Sequence, residues 1–435
     1  MNNISIISAF PGLYTEFLKT SLIGKARENK IVDVNVDSLF SFVSPKERID
    51  APTFGHGAGM VIRPEVIQRA IEAKEAEKGN AFKIFFSPNG KKLNQHVLKY
   101  IAQRVAEKKH IMLLPARYEG MDDRIEQEYA DEIISVGDFV LMGGDIPAMM
   151  LLEGLLRFVP GVVGKQASVE HDSFSCAFVD YPEYCAPVEW RGHVVPEVVR
   201  SGNHAAMATW RRDEAAKRTV LRHFDWLRTS APTQQERTLA SKYIPSHYAA
   251  LMHTDVLIGS EGIEGTTSVT SIDIHDIARS AKTYGIKKFF VVTPLIDQQK
   301  IVSTLLDFWQ KGVGVTYNYS RHRAVKQVIL QESLDEVIKA IEHKEGKKPL
   351  LIATSAKTSI HQQVITYHDQ TKVWAQDRPV LFLFGTGQGL AQRVLERCNY
   401  LLVPVIGLSD FNHLSVRSAV AIILDRWLGL NQKLV

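Results

Sequence analysis

Several loops of this chain combine glycine with small polar residues directly after apolar segments. The segment FLFGTGQGL, residues 382–390, places Gly385, Gly387 and Gly389 at alternate positions. A dinucleotide-binding fingerprint requires Gly-x-Gly-x-x-Gly at the start of a helix, and the leucine at position 390 breaks that pattern. The sequence contains no GxxxxGK[ST] phosphate loop either. The glycines of this segment would instead let its backbone approach a ligand closely. The alternative is that the segment is a plain turn from strand to helix.

Three further segments have the same glycine-rich character. They are TFGHGAGM at 53–60, FFSPNGKKL at 85–93 and LMGGDIP at 141–147. The Ser-Pro-Asn-Gly sequence in the second of them is a turn signal. Each segment is a weak indication by itself, but together they place several loops at the ends of predicted strands, where ligands bind in open α/β sheets.

A second chemical signal is the basic stretch between Arg191 and Arg228. Its eight cations, set against four acidic residues, are Arg191, Arg200, Arg211, Arg212, Lys217, Arg218, Arg222 and Arg228. Histidine and tryptophan residues lie between them. Cations interleaved with aromatic rings are typical of surfaces that contact phosphates and stack on bases. A solvated helical surface is the alternative, and the net charge of +4 is compatible with either interpretation.

The composition is that of a globular protein of about three domains, given 435 residues. Hydrophobic residues make up 45% and charged residues 23%, which excludes disordered, collagen-like and coiled-coil chains. No apolar run approaches the roughly 18 residues that span a bilayer, and the start of the chain lacks a signal-peptide pattern. Three cysteines without a CxxC pair favour reduced thiols, so we expect a cytoplasmic protein without membrane contact.

The hydrophobic patterns predict the elements that carry these loops. Strand-like and helix-like segments alternate over 1–165 and again over 247–435, which predicts two α/β domains with largely parallel sheets. Between them, 166–246 combine an irregular linker with a basic helical region. The same patterns predict a helix over 15–30 and a strand over 134–144. They also predict a strand followed by a turn over 255–262.

A set of motifs runs through the first 245 residues. They are ISAFPG (7–12), DAPTFGHGAGM (50–60), FSPNGKKL (86–93), ARYEGMDDRIEQ (116–127), SVGDFVLMGGDIPAM (135–149), RFVPGVVG (157–164), HDSF (171–174) and SGNH (201–204). In this order they resemble the bacterial tRNA (guanine-37-N1)-methyltransferases, members of the SPOUT superfamily. The resemblance implies a chain threaded into a deep trefoil knot, which is a rare exception to unthreaded topology.

The same resemblance assigns catalytic roles to two residues. Asp172, in HDSF, matches the family's general base, which takes the N1 proton of guanine. Arg157, in RFVPG, matches the arginine that positions the base and stabilises charge on its carbonyl oxygen. Both residue types suit the chemistry, because N1 is a poor nucleophile until its proton leaves. S-adenosylmethionine would be the methyl donor, held by Ser87, Pro88, Gly90, Ala116, Glu119, Val136, Gly137, Asp138, Phe139, Val140 and Leu141.

The resemblance also implies RNA contacts and allows a metal. The substrate would be tRNA with guanine at position 37, contacted by Asp50, Arg200, His204, Arg211 and Arg212. Family members use Mg²⁺, although no metal-ligand spacing in this sequence indicates a metal site. The chain departs from the family pattern at two places, with Ala116 following Pro115 instead of Cys-Gly, and with His56 interrupting a run of glycines. The extra methyl group of Ala116 should narrow the donor cleft.

A second set of motifs covers nearly all of the C-terminal half. They are TTSVTSIDIHDIARSAKTYGIKKFFVVTP (266–294), GVTYNYSRHRA (314–324), LLIATSAK (350–357), FLFGTGQGL (382–390) and NHLSVRSAVAIILDR (412–426). They resemble another SPOUT group of bacterial RNA methyltransferase-like proteins. By analogy, three loops would hold a second methyl donor: Gly385, Thr386, Gly387, Val405, Ile406, Gly407, Leu414 and Ser415. Candidate RNA-binding or catalytic groups are Arg279, Arg321, Arg323 and Arg417, the last of which could instead form a salt bridge.

Together the resemblances imply two trefoil-knotted SPOUT domains, 1–165 and 247–435, with a small helical tRNA-binding domain in 166–246. The chain would form a homodimer, because this family builds each active site across two subunits. The N-terminal half would methylate N1 of guanine 37, and the C-terminal half a second RNA of unknown identity, with ribose 2′-O transfer as one option. As alternatives, the C-terminal half is a non-catalytic RNA-binding or dimerisation module, or the chain is a dehydrogenase-like enzyme, against which the failed fingerprint counts.

Overall fold

The computed structural model describes residues 3–164, 172–259, 261–356 and 363–431. They form two compact units, Met1–Ser175 and Cys176–Val435. Each unit is built on a parallel sheet with helices, which confirms the predicted α/β class. The division into three domains stays a prediction. Among the helices described, none has the length and apolar character to cross a membrane.

The first unit has a five-stranded sheet in which all neighbouring strands are parallel. The strands of this unit are β1 Asn3–Ser8, β2 Asp33–Ser38, β3 Asp50–Pro52, β4 Met60–Ile62, β5 Phe82–Lys92, β6 His110–Pro115 and β7 Glu132–Ser135. The sheet order is β2-β1-β6-β5-β7, while β3 and β4 form a separate antiparallel ribbon. The carboxyl ends of β5, β6 and β7 therefore lie side by side at one edge of the sheet.

Helices cover both faces of this sheet. They are α1 Ser21–Glu28, α2 Pro64–Lys78, α3 Gln95–Ala106, α4 Asp123–Tyr129 and α5 Asp145–Leu156, with short 3-10 turns at Pro11–Tyr14, Phe17–Lys19, Leu39–Phe42 and Phe54–His56. On one face, apolar residues of α3 and α5 such as Ile101 and Leu151 pack on Ile6 and Leu113. On the other face, α2 packs on Ile7, Phe85 and Met112. Successive strand residues point to opposite faces of the sheet, so their side chains contribute to two separate hydrophobic cores.

Two predictions in this unit were wrong. The helix expected over 15–30 begins only at Ser21, because Thr20 has an extended backbone (φ −91°, ψ 142°) that separates it from the preceding 3-10 turn. The strand expected over 134–144 ends at Ser135. There the Ser135 hydroxyl donates to the carbonyl of Gly137 (3.1 Å) and accepts from its N–H (3.4 Å), which turns the chain away from the sheet.

The second unit has a seven-stranded parallel sheet. The strands of this unit are β8 Glu189–Trp190, β9 His193–Val194, β10 His247–Met252, β11 Val256–Ile258, β12 Ile263–Gly265, β13 Phe289–Val292, β14 Val328–Gln331, β15 Leu350–Thr354, β16 Val364–Ile365, β17 Val380–Gly385 and β18 Tyr400–Leu402. The sheet order is β14-β13-β10-β17-β15-β18-β16, and β8-β9 and β11-β12 are antiparallel ribbons.

Sequence patterns missed the inner strand β10. All six of its residues are buried, so the strand shows no polar alternation, and it follows Pro245, which marked a domain boundary in the sequence analysis. The strand and turn expected over 255–262 is the short ribbon β11-β12, which pairs antiparallel and lies outside the main sheet. A fully buried parallel strand cannot be recognised by periodicity alone.

The helices of the second unit begin with a basic helical segment. The described helices are α6 Glu197–Arg200, α7 His204–Arg222, α8 Phe224–Thr229, α9 Gln234–Ala240, α10 Ser271–Thr283, α11 Ile296–Gln310, α12 Gly314–Tyr317, α13 Tyr319–Val325, α14 Leu334–Glu345, α15 Gln370–Trp374, α16 Gln392–Glu396 and α17 Val416–Leu428. Buried residues of α7 and α8, including Val220 and Phe224, belong to the same core cluster as Trp374 and Trp427. The Phe224 and Trp374 rings lie 4.7 Å apart, so the helical segment is part of this unit's core.

A buried histidine lies at the centre of that shared core. The Nδ1 atom of His247 is 2.6 Å from the carbonyl of Pro245, so Nδ1 carries the proton. Its Nε2 accepts from the indole N–H groups of Trp374 (3.2 Å) and Trp427 (3.0 Å). Protonation of Nε2 would remove this acceptor and place its new N–H opposite the two indole N–H groups, which is unfavourable. Burial also lowers the pKa of His247 from 6.5 to about 4.

We expect the second unit to lose stability as the pH falls from about 6.5 to about 4. Between these pH values, His247 is protonated in the unfolded chain but remains neutral in the folded chain. The free energy of unfolding therefore falls by about 3 kcal/mol. Burial gives His253 a pKa of about 4 as well. Urea unfolding followed by tryptophan fluorescence reports this unit, because all six tryptophans lie in it. His247→Gln should remove about half of the pH dependence, and an unchanged slope would contradict the assignment.

Candidate active site

A cleft lies at the carboxyl ends of β5, β6 and β7, with a volume of about 230 Å³. Its walls include nine of the eleven residues predicted to hold the methyl donor: Ser87, Pro88, Ala116, Glu119, Val136, Gly137, Phe139, Val140 and Leu141. Other lining residues that the sequence analysis missed include Phe86, Tyr118, Glu126, Gly143, Gly144 and Pro147. Most of them are immediate neighbours of predicted residues in the same motifs, which was the available signal.

Glycines allow the loops around this cleft to approach each other. The N–H of Gly144 donates to the carbonyl of Ala116 at 2.7 Å. A Cβ on Gly144 would lie 2.8 Å from the backbone nitrogen of Ala116, and a Cβ on Gly143 would meet the Arg117 side chain at 2.5 Å. The two glycines are therefore required by the packing of the loop 136–144 against the end of β6. The resulting cleft offers apolar walls for a planar ring and backbone groups for its edge.

Two of the predicted donor residues lie outside the cleft lining. A Cβ on Gly90 would come within 2.6 Å of the Ile133 and Ile134 backbone, so Gly90 serves the contact between β5 and β7. Asp138 is exposed and pairs with Lys92. Neither residue lines the cleft, and their roles in donor binding stay predictions.

Two carboxyl groups line the cleft. Glu119 lies in the exposed turn after β6, where its N–H donates to the carbonyl of Met60 at 2.9 Å. Its side chain touches Gly59, where a Cβ would lie 2.6 Å from Glu119 Cγ. Burial raises the pKa of Glu126, and the neighbouring Asp123 raises it further. These groups can accept hydrogen bonds from the hydroxyl or ammonium groups of a ligand.

Beneath the cleft lies a buried carboxylate that sequence reasoning did not find. Asp145, the first residue of α5, is 1% exposed. It accepts hydrogen bonds from the Ser8 hydroxyl (2.6 Å), the Tyr14 hydroxyl (2.9 Å) and Arg117 Nε (2.7 Å). Burial and the carboxylate raise the pKa of Tyr14 far above its usual range, so the phenol remains a donor. This network ties β1 and the end of β6 to the helix that follows the cleft loop.

Arg157 and Asp172, the two residues expected to be catalytic, form an ion pair. Arg157 follows the last residue of α5, and both side chains are partly exposed, at 45% and 29%. The cleft borders the other end of the same helix, at Gly143 and Gly144. Twelve residues of helix separate the two ends, which corresponds to about 18 Å. Residues 165–171, which include the histidine of the HDSF motif, lie outside the described residues.

The residues expected to contact tRNA are distributed over both units. Asp50 lies on β3, where Arg48 donates to both of its oxygens at 3.1 and 3.2 Å. Arg200 ends α6, His204 begins α7, and both are exposed. Arg211 lies over the ring of Tyr181, with 4.5 Å from Cζ to the ring centroid, and near Glu183. Arg212 is exposed on the same helix. Their contacts with RNA stay predictions.

In the second unit, the glycine loop after β17 packs on the chain itself. Gly387 has a positive φ of 60°, and a Cβ there would lie 2.5 Å from the carbonyl oxygen of Leu257. Thr386 donates to the carbonyl of Met252 at 2.8 Å and lies 2.5 Å from the Thr267 hydroxyl. The close approach expected from the glycines is therefore made to the segment that follows β10.

The remaining residues expected to hold a second donor lie at the same sheet edge. Val405, Ile406 and Gly407 follow β18, which is separated from β17 by β15 alone, so the strand ends are about 10 Å apart. Leu414 is exposed and Ser415 precedes α17, where its hydroxyl lies 2.9 Å from that of Ser418. The topology brings these loops to one edge, and their role stays a prediction.

Arg417, also on α17, is paired within the chain. It lies 3.2 Å from Asp273 and 3.7 Å from Asp276, at a groove of about 450 Å³ that Arg279 also lines. The salt-bridge interpretation of Arg417 thus has a direct contact in its favour. Among the residues that the structure describes, no group of three or more His, Cys, Asp or Glu side chains is placed to hold a metal ion. That geometry gives no support to a resident Mg²⁺.

Two family models match different parts of this chain. Residues 2–229 match the family model described as tRNA (guanine-1)-methyltransferase TrmD. The chain belongs to this family. Residues 246–429 match a second model, described as SAM-dependent RNA methyltransferase.

Relatives named tRNA (guanine-N(1)-)-methyltransferase are similar over different lengths. One from Nitratidesulfovibrio vulgaris is 37% identical over 431 residues, covering 98% of this chain and 99% of the relative. One from Oleidesulfovibrio alaskensis is 36% identical over 437 residues, with the same coverage of 98% and 99%. One from Deinococcus radiodurans is 43% identical over 238 residues, covering 54% of this chain and 84% of the relative. Some relatives thus match nearly the whole chain, while others match about half of it.

Proposed function

We propose that the first unit transfers a methyl group from S-adenosylmethionine to N1 of guanine 37 in tRNA. The observation that carries this proposal is the glycine-bounded cleft, whose walls are formed by the motifs that the family shares, in the same unit as the Arg157–Asp172 pair. The apolar walls and the two carboxyl groups that line the cleft fit an adenosine with an ammonium-bearing tail. The family match supports the reaction type.

The chain's own residues would prepare the nucleophile. Asp172 accepts the N1 proton of guanine, which leaves the electron pair on the base. Arg157, already beside that carboxylate, stabilises the negative charge that develops on the guanine carbonyl oxygen. The bound donor supplies an electrophilic methyl group on its sulfonium. The cleft holds the donor away from water and fixes its direction relative to N1.

Helix α5 spans about 18 Å from the end that borders the cleft to the end that precedes Arg157, and this length supports a homodimer. In such a dimer the second copy would supply Asp172 to the base beside the donor. Exposed apolar side chains surround the cleft and α5, which fits a surface covered by a partner copy. They are Phe139, Val140, Met142, Ile146 and Met150.

A mixing experiment tests this arrangement. Asp172→Asn and the cleft variant Leu141→Arg should each be inactive as pure proteins. Random mixing places both substitutions on one site of a mixed dimer and neither on the other, so about a quarter of wild-type activity should return. No recovery in a sample shown to exchange subunits would contradict a site shared between copies.

The tRNA specificity of the proposal has its own test. Two transcripts differing only in guanine or adenine at position 37 are incubated with the chain and methyl-labelled donor. Label should enter the fragment that contains position 37 in the guanine transcript only, because adenine lacks the carbonyl oxygen whose developing charge Arg157 would stabilise. Equal labelling of that fragment in both transcripts would overturn the assignment to guanine 37. The exposed Arg200, His204 and Arg212 would contact the tRNA backbone.

For the second unit we propose a second S-adenosylmethionine-dependent RNA methylation, with ribose 2′-O transfer as one option. Support comes from the match over 246–429 and from the loops after β17 and β18, which lie at one sheet edge. In the Asp172→Asn chain, any remaining label in cellular RNA would belong to this unit. Donor binding without transfer to any RNA would instead favour a non-catalytic RNA-binding module.

We further propose that both units are trefoil-knotted and that the protein works in the cytoplasm. The interleaved strand order supports the knot, because β17 inserts between β10 and β15, and β18 between β15 and β16. A knotted chain slides until the knot tightens when it is pulled from both ends. Single-molecule stretching should therefore give a contour shorter than that of 435 extended residues.

A further inference from the structure

One surface of the second unit, formed by residues 308–326, is neither part of the donor loops nor covered by the chain. It comprises the end of α11, α12 and α13, and we name it the aromatic–arginine face. Its exposed aromatic side chains are Phe308 (46%), Tyr317 (79%) and Tyr319 (66%). A tyrosine that is two-thirds or more exposed gains little from folding, so two of them on adjacent turns call for another explanation.

The rings and guanidinium groups of this face are organised. The Tyr317 ring centroid lies 6.5 Å from that of the buried Trp309. Arg321 lies over the Trp309 ring, with Cζ 5.0 Å from its centroid. Arg323 lies 5.9 Å from the centroid of Tyr319. His322, whose Nδ1 is 2.8 Å from the Trp309 carbonyl, ties α13 to α11. Flat rings are thus held beside cations on a fixed base.

The charge of the face is of one sign. Residues 308–331 contain four lysine and arginine residues and no aspartate or glutamate. Lys311 is neutralised by Asp307 at 3.0 Å. Arg321, Arg323 and Lys326 have no carboxylate within ion-pair distance among the residues that the structure describes. Three cations that form no ion pair within the described ranges, together with exposed tyrosines, complement a polyanion with flat, stackable groups.

We propose that the aromatic–arginine face binds an unpaired segment of RNA. Bases of a loop or single strand would stack on Tyr317 and Tyr319, while Arg321, Arg323 and Lys326 contact the phosphates. A duplex does not fit, because its bases are already stacked. This inference rests on one part of the proposed function, namely that the second unit acts on RNA. It adds the surface on which that RNA is bound.

A second protein or a second copy is the competing occupant, and it differs in chemistry. An apolar partner would bind as well to leucine as to tyrosine and would leave the three cations unpaired, which is costly at an interface. RNA requires a planar ring and a cation. Replacing tyrosine by leucine or by phenylalanine therefore separates the two occupants, because only phenylalanine keeps the ring.

The test uses the full-length chain and a ten-nucleotide oligouridylate that carries 4-thiouridine. Irradiation and peptide mapping should give cross-links within 314–326, independent of binding by the basic helical segment. Tyr317→Leu/Tyr319→Leu should lower the cross-link yield in this peptide about tenfold or more, and Tyr317→Phe/Tyr319→Phe should retain it. Arg323→Gln/Lys326→Gln should make the dependence of log affinity on log salt concentration shallower by about 1.4.

The readout does not need methyl transfer, so failure of the proposed second activity leaves this test intact. Circular dichroism and the tryptophan fluorescence of the second unit report whether the variants are folded. Equal cross-linking by the leucine and phenylalanine variants would overturn the proposal. So would cross-links that avoid 308–326, or protection of these amides in RNA-free dimers, which would assign the face to a second copy.

Discussion

Asp172→Asn should lower the rate of guanine-37 methylation about a thousandfold while leaving donor affinity unchanged. The amide keeps the shape of the side chain and can still meet Arg157, but it cannot accept the N1 proton. Donor affinity should be retained, because Asp172 is not among the residues that line the cleft and its proposed contact is with the guanine base. Single-turnover methylation and calorimetric titration of the donor measure the two quantities separately.

A matched control is Asp307→Asn in the second unit. Asp307 is also a partly exposed carboxylate paired with a cation, Lys311, at 3.0 Å, but it lies outside both candidate sites. It should leave guanine-37 methylation at the wild-type rate. If Asp172→Asn kept more than about a tenth of the wild-type rate, Asp172 would not be the general base.

Asp145→Ala should destabilise the first unit by about 3 to 5 kcal/mol. The substitution removes the acceptor of Arg117, Ser8 and Tyr14 at once and leaves a largely buried guanidinium without its carboxylate. Because the tryptophans lie in the second unit, fluorescence does not report this change. Hydrogen exchange of the α5 amides should accelerate by two orders of magnitude or more, and donor binding should weaken.

The controls for this prediction remove one neutral donor at a time. Ser8→Ala and Tyr14→Phe should each cost about 1 kcal/mol, because each deletes one hydrogen bond and leaves the charge pair of Arg117 and Asp145 in place. If Asp145→Ala cost no more than these, the buried pair would contribute nothing beyond an ordinary hydrogen bond.

The alternation of strands and helices was sufficient to predict the α/β class, but not every element. The strand β10 was missed because burial on both faces removes the polar alternation that marks a strand. The loop 136–144 was extended into a strand because its apolar residues Phe139, Val140 and Leu141 look like core. They line a cleft instead, and apolar residues of a ligand site have the same sequence signal as apolar residues of a core.

Some residues of the candidate site could be predicted from the sequence, and others could not. Loop residues such as Ser87, Pro88 and Ala116 could be named because they lie within contiguous motifs. The hydrogen bond from Ser8 to Asp145 could not be predicted, because 137 residues separate the two in sequence. Neither residue type by itself indicates such a contact. The span of about 18 Å along α5, from the cleft to Arg157, likewise depends on where that helix begins and ends.

We expect this chain to place a methyl group on N1 of guanine 37. Mass-spectrometric nucleoside analysis measures this directly, on a tRNA transcript with guanine at position 37 after incubation with the full-length chain and S-adenosylmethionine. One 1-methylguanosine per tRNA is expected, located in the fragment that contains position 37. A methylguanosine modified at another atom, or no 1-methylguanosine with a folded and donor-binding protein, would contradict it.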